Sequence, residues 1–305
     1  MVVLHAFLTI AGCPLHILDS TDSIYYPIRV HLRKTVLVLA GCGATLAATA
    51  HEFWLQPPRF FIAAGTVANL RVLVGEKFEG HRWPGKSNRI TSLVHYAPND
   101  TLDLTALATQ DDSLRTNVEF VQPGVHMVAL ATNNASITMS ATEFNTYLKE
   151  DGFDNVLAIR QKQKSLDKPG REIYRRCSKT LLQVGPSSLD TVGTFAWRAG
   201  LPLELVPEQN PYALKPGAAL TVLLLANGQP LPNTLVQVWQ RSPDKPTQIF
   251  RLHSNQKGRV LFRLQMPGNY MVSAVQMVPA TDQKAADWQS TWSTLTFGFS
   301  GHPAN

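Results

Sequence analysis

Ala219-Leu220-Thr221-Val222-Leu223-Leu224-Leu225-Ala226 is followed by Asn227-Gly228-Gln229-Pro230-Leu231-Pro232-Asn233-Thr234 and then by Leu235-Val236-Gln237-Val238-Trp239-Gln240. Two apolar runs of strand length enclose a cluster of turn residues, and Asn-Gly supplies the left-handed backbone that a tight turn needs. Working outward, strand-like pieces recur at Leu203–Val206, Thr247–Leu252, Arg259–Leu264 and Tyr270–Met277, with turn signals at Pro232-Asn233, Lys257-Gly258 and Pro267-Gly268. Leu295, Phe297 and Phe299 alternate as a last strand. Residues 201–300 are therefore expected to form one antiparallel β-sandwich.

Toward the amino end, Pro186–Asp190 reads as a linker, and 51–190 as a second β-sandwich. Its strand signals are the alternation around Leu70, Val72 and Val74, then Ile90–Tyr96, Val125–Thr132 after the Pro123-Gly124 turn, and Ile173–Val184. Glu79–Asn88 is a Gly/Pro-rich loop holding His81 and Trp83. A helical insertion is expected over 142–163. Thr142 would cap it, Phe144, Tyr147 and Leu148 would line one face, and Gly152 would stop the first helix before Phe153, Val156 and Leu157 continue a second. The predicted class is mostly β, two sandwich domains with a short helical insertion. A charged fraction of 16%, with 20 prolines and 19 glycines, agrees. The net charge of +6 is scattered, without a block of about five or six basic residues, which argues against a nucleic-acid surface.

Residues 1–50 read as a leader. His31-Leu32-Arg33-Lys34 is a basic region, Thr35–Leu46 an apolar run, and Ala48-Thr49-Ala50 the small-x-small pattern of a signal-peptidase site. Cleavage before His51 is expected, with translation starting near Val30. The run is too short for a transmembrane anchor. Leu39-Ala40-Gly41-Cys42 also fits a lipoprotein box, as does Ile10-Ala11-Gly12-Cys13, so lipidation is the alternative. The mature chain keeps Cys177 alone, which excludes an intramolecular disulfide and a cysteine-based zinc site.

Several stretches taken together resemble one family. They are His51-Glu52-Phe53-Trp54-Leu55, Gly75-Glu76-Lys77-Phe78, Glu143 to Gly152, Arg171-Glu172-Ile173-Tyr174-Arg175-Arg176, Leu203-Glu204-Leu205-Val206-Pro207, Asn210-Pro211-Tyr212, Gly228-Gln229-Pro230-Leu231, Ala286-Asp287-Trp288 and Ser293 to Phe297. The chain is similar over most of 51–299 to bacterial periplasmic proteins that carry a domain of unknown function and are often labelled periplasmic components of cobalt or nickel transport. The resemblance implies a periplasmic location, immunoglobulin- or transthyretin-like sandwiches, a role in metal uptake and an envelope metal transporter or receptor as partner. The chain departs from it at Ser254 to Gly258, where an aspartate-containing turn is expected, and at Gln276-Met277, where a histidine is expected before the methionine.

Cleavage before His51 would place an amine of pKa about 7.7–8.0 beside an imidazole. Together they can chelate nickel, cobalt or copper, and a further imidazole would complete a three-nitrogen site. His126 and His95, both on expected strands, are the candidate partners; His81 and His253 are further ones. Each also fits an ordinary half-buried histidine. Cys177, beside Arg175, Arg176 and Lys179, fits a buried strand thiol better than a reactive one. No nucleophile elbow, phosphate-binding loop, His-Glu-x-x-His or dinucleotide fingerprint occurs, so no enzyme is expected. Two functions remain open: a periplasmic accessory protein that binds a transition-metal ion, and a structural or interaction module of the envelope without metal.

Overall fold

A computed structural model describes residues 52–111, 114–186, 190–243 and 245–302. The expected leader and His51 lie outside them. Strands make up 50% and helices 12%, as a mostly β chain requires.

The amino-terminal half runs β1 (Glu52–Gln56), β2 (Phe61–Ile62), β3 (Thr66–Asn69), β4 (Arg71–Glu76), β5 (Glu79–Arg82), β6 (Ile90–Ala97), β7 (Asp100–Asp103), α1 (Thr105–Ala108), β8 (Asn117–Phe120), β9 (Gly124–Thr132), β10 (Ala135–Met139), α2 (Ala141–Glu150), α3 (Asp154–Lys162) and β11 (Gly170–Val184). The remainder is β12 (Leu203–Pro207), β13 (Ala219–Ala226), β14 (Gln229–Pro230), β15 (Leu235–Arg241), β16 (Gln248–His253), β17 (Arg259–Arg263), β18 (Gly268–Pro279) and β19 (Trp288–Phe299). From 203 to 299 the strands fall where alternation and turn residues put them.

Ten strands form one sheet, ordered β16-β15-β18-β19-β11-β9-β6-β7, with β10 and β2 also paired to β11. The expected boundary near 190–201 therefore does not part the sheets. β19 pairs parallel with β11 from Glu172↔Trp288 to Thr180↔Thr296 and carries the sheet across both halves.

Because side chains alternate along a strand, each face of this sheet packs a different layer. On one face Val125, Met127, Leu181, Val238, Val272, Leu295 and Phe297 pack against Leu203, Leu205, Leu220, Val222 and Phe262 of β12, β13 and β17. On the other, Leu93, Val128, Leu130, Leu182 and Val184 meet Phe53, Leu55, Val72, Val118 and Phe120. Further along that second face the two helices lie on Met277, Trp288 and Trp292.

The helical insertion occurs where expected, but Ser140 caps it rather than Thr142. Ser140 and Glu143 form a reciprocal capping box, which satisfies two free backbone donors. Phe144, Tyr147, Leu148 and Val156 are buried and Leu157 is half-buried. The expected 79–88 loop begins instead as β5, paired to β4 through a tight turn at Lys77-Phe78. Both turn residues are left-handed (φ 53° and 60°), which is unfavourable for side chains of this size. Phe78 is nonetheless fully buried, 5.6 Å from Trp54, with the Arg241 guanidinium 4.7 Å above its ring. Its burial offsets the strain.

Candidate functional site

His95 and His126 stand on neighbouring strands β6 and β9, on the face that carries Leu93 and Val128. Their rings are stacked, with His95 Nε2 2.8 Å from His126 Nδ1, and Phe120 packs edge-on to both. His126 Nε2 lies 2.7 Å from the Gln122 carbonyl. A carbonyl only accepts, so His126 carries its proton on Nε2, and His95 donates from Nε2 to His126 Nδ1. That leaves the His95 Nδ1 lone pair buried and without a partner. Burial lowers both pKa values, His95 to about 4, with the neighbouring His126 adding to the fall there. The structure thus brings together two residues expected as ligands, but as partners of each other and sealed from solvent. Among the described residues no group of three His, Cys, Asp or Glu side chains could hold an ion. His81 and His253 are exposed on β5 and β16. Cys177 is buried and its thiol is pushed up to about 11 by desolvation, as a strand-core cysteine.

A second constellation lies where β1 and the helices meet on the same face. β1 hydrogen-bonds to β4 along one edge. Its other backbone groups are met by hydroxyls: Ser178 accepts from Leu55 N (3.0 Å), Thr294 donates to Phe53 O (2.7 Å) and Thr296 donates to Leu55 O (2.7 Å). These hydroxyls rise from paired positions of β11 and β19; because the single protons of Thr294 and Thr296 go to the carbonyls, Ser178 donates to Thr294 (2.9 Å) and Thr180 to Thr296 (2.9 Å).

At the start of β1 sits Glu52, 8% exposed, accepting from Ser273 at 3.0 Å; Ser273 in turn accepts from the Trp239 indole at 3.1 Å. Burial raises the Glu52 carboxyl to about 7. Glu172 on β11, raised to about 7 by burial, accepts from Ser290 and from Tyr147 (3.3 Å), while its Oε2 has no partner. Asp151, at the carboxyl end of α2, is raised to about 8 by burial and then by the charges of Glu52, Glu150 and Glu172. The half-buried Arg176 supplies the positive charge felt by Glu52 and Glu172, with its guanidinium over the Phe53 and Tyr174 rings.

Glu52 and Asp151 line one cavity of about 10 Å³ with Gln237, Ser273 and Trp292, room for a single water-sized occupant. Sequence reasoning noted Glu52 only as a neighbour of His51 and gave Asp151 and Glu172 no role. A signal was present in Ser290, Thr294 and Thr296, which share a face of β19 with the tryptophans Trp288 and Trp292.

β1 begins over β18, where Ser273 lies, whereas His126 is on β9 with β19 and β11 between. Three inter-strand steps amount to about 14 Å. The histidine pair and the carboxyl cavity are therefore separate places on one face.

No curated protein matches the chain. Among solved structures, the three N-terminal domains of the bacteriophage RB49 Highly Immunogenic Outer Capsid protein (Hoc) align at 8% identity and a TM-score of 0.18, over 81% of this chain and 59% of that one. The D0-D1 domain of intimin aligns at 12% identity and a TM-score of 0.19, over 82% and 98%. Residues 48–278 match the family described as Domain of unknown function (DUF4198), and the chain belongs to that family.

Proposed function

We propose that this protein is an exported periplasmic accessory protein, built on immunoglobulin- or transthyretin-like layers, that binds a nickel, cobalt or copper ion as cargo and assists its uptake. It binds and does not catalyse. The carrying observation is the water-sized cavity shared by Glu52 and Asp151 at the first strand. Glu52 is bonded to His51, so after cleavage an amine and an imidazole belong to the neighbouring residue. Two carboxylates with two nitrogens make a mixed donor set of the kind these ions accept. His95 and His126 have no part in this assignment, since each is committed to the other. An envelope metal transporter or receptor is the partner that such cargo requires.

The test is calorimetry with nickel, cobalt and copper salts on protein processed to begin at His51. Glu52→Gln with Asp151→Asn should weaken binding at least tenfold, an extension ahead of His51 should weaken it too, and His95→Phe should leave it unchanged. Absence of saturable binding by the processed protein would favour the other reading, an interaction module of the envelope. For that reading the relevant observation is β16, which ends the large sheet and carries exposed Ile249 and Phe250.

A further inference from the structure

A second cleft lies on the opposite side of the β1–β4–β5 sheet from its tight turn, where β4 begins and the chain leaves β5. Its volume is about 380 Å³, within the range of small-molecule pockets. Arg71, Arg82 and Lys86 line it, and among the described residues no acidic side chain does. All three are exposed and none belongs to an ion pair among the described residues. The register places the arginines together. Arg82 is opposite Leu73, and Arg71 lies two residues from Leu73 on the same strand. Alternation puts both on one face as diagonal neighbours, about 7–8 Å apart.

The third cation is positioned by the following loop. Trp83 donates its backbone N–H to Val72 O (2.9 Å), and its indole stands edge-on to the buried Phe53 at 5.2 Å. Gly85 lies directly on that indole: a Cβ there would fall 1.9 Å from Trp83 Cζ2, so only glycine lets the loop close and carry Lys86 to the cleft. Three like charges held together with no ion-pair partner among the described residues repel one another, a cost that an anion in the cleft would relieve.

We infer that this cleft binds a multivalent oxyanion of the phosphate class, with Arg71, Arg82 and Lys86 as its counter-charges and Trp83 as a fixed wall. Planar guanidinium groups suit such an anion because each can donate two parallel hydrogen bonds. The site is distinct from the carboxyl cavity and does not depend on metal binding.

The test is calorimetric titration of the full processed protein with sodium pyrophosphate, paired with sedimentation of phosphatidylglycerol and phosphatidylcholine vesicles. Saturable pyrophosphate binding is expected, weakened at least tenfold by Arg71→Gln with Arg82→Gln. Lys149→Gln with Lys162→Gln removes the same charge from exposed helix positions and should change affinity less than twofold. Gly85→Ala, with every charge retained and folding checked by circular dichroism, should also weaken binding at least tenfold. Binding to phosphatidylglycerol vesicles that pyrophosphate displaces would assign the anion to a lipid headgroup; pyrophosphate binding without vesicle binding would assign it to a soluble phosphate ester. Absence of both, or equal losses in the two double variants, would overturn the inference.

Discussion

His95 and Glu172 are both buried and both titrate far from their ordinary values, in opposite senses. The His95 pKa falls to about 4, so below its unfolded value of about 6.5 the unfolded chain takes up a proton that the native one refuses. Its contribution to stability is full above pH 6.5 and is lost as pH falls toward 4. Glu172 behaves in reverse. Raised to about 7, it keeps a proton that the unfolded chain has released, so its stabilisation is full below about pH 4.5 and is lost as pH rises through 7. Glu52 and Asp151, also raised, act in the same direction as Glu172. Between pH 6.5 and 8 only the carboxyls among these four still change, and metal-free protein should lose thermal stability over that interval. Glu172→Gln should flatten the decline, and His95→Phe should leave it in place while removing the loss toward pH 4. Scanning calorimetry at a series of pH values measures both. Proximity of His95 and His126 was partly legible, since each reads as a strand residue. The carboxyls were not, because they come from β1, β11 and the end of α2, which no sequence spacing relates.

At the scale of elements, β1 is held by one ladder and by a set of hydroxyls. Thr294→Val keeps the shape and removes the donor to Phe53 O, leaving a buried carbonyl unpaired. The expected cost is about 1–3 kcal/mol, read as a lower urea midpoint with an unchanged slope. An unchanged midpoint would mean that β1 is secured by its apolar residues alone. Strands such as β13 and β15 were legible because turn residues and local alternation define them within a few positions. The β11–β19 pairing was not. Its partners are 116 residues apart, and the hydroxyls that mark it, Ser178, Thr180, Thr294 and Thr296, look like surface residues in a sequence. The cap of α2 was misread because Ser140 and Thr142 are both acceptable capping residues, and only the reciprocal bond with Glu143 selects between them.

At the scale of the molecule, the two halves are tied by more than a shared sheet. Lys179 of β11 and Glu204 of β12 form an ion pair of 2.9 Å with almost no exposure. Glu204 also accepts from Ala199 N and Gly200 N, and Tyr212 donates to Leu181 O at 2.7 Å. Removing one member of a buried pair strands the other charge, so Glu204→Ala should cost about 3–5 kcal/mol. Because this contact spans the expected boundary at 190–201, the loss should appear in a single urea transition followed alike by tryptophan fluorescence and far-ultraviolet circular dichroism. Two separated transitions, with only one of them moved, would show the halves to be independent.

The seating of β1 also sets an order of events in the cell. Of the described strands a ribosome makes β1 before all others and β19 after them, yet the Phe53 carbonyl is met by Thr294, 241 residues later. Until the final strand has been made, Phe53-Trp54-Leu55 has no completed seat, and contacts so distant in sequence form slowly. The nascent chain can pair β1 with β4 early, but the other edge of β1 stays without the β19 hydroxyls until that strand is made, an open strand edge of the kind holding chaperones protect. A messenger truncated before residue 288 would yield a chain without that seat, exposed to proteolysis from its first strand onward.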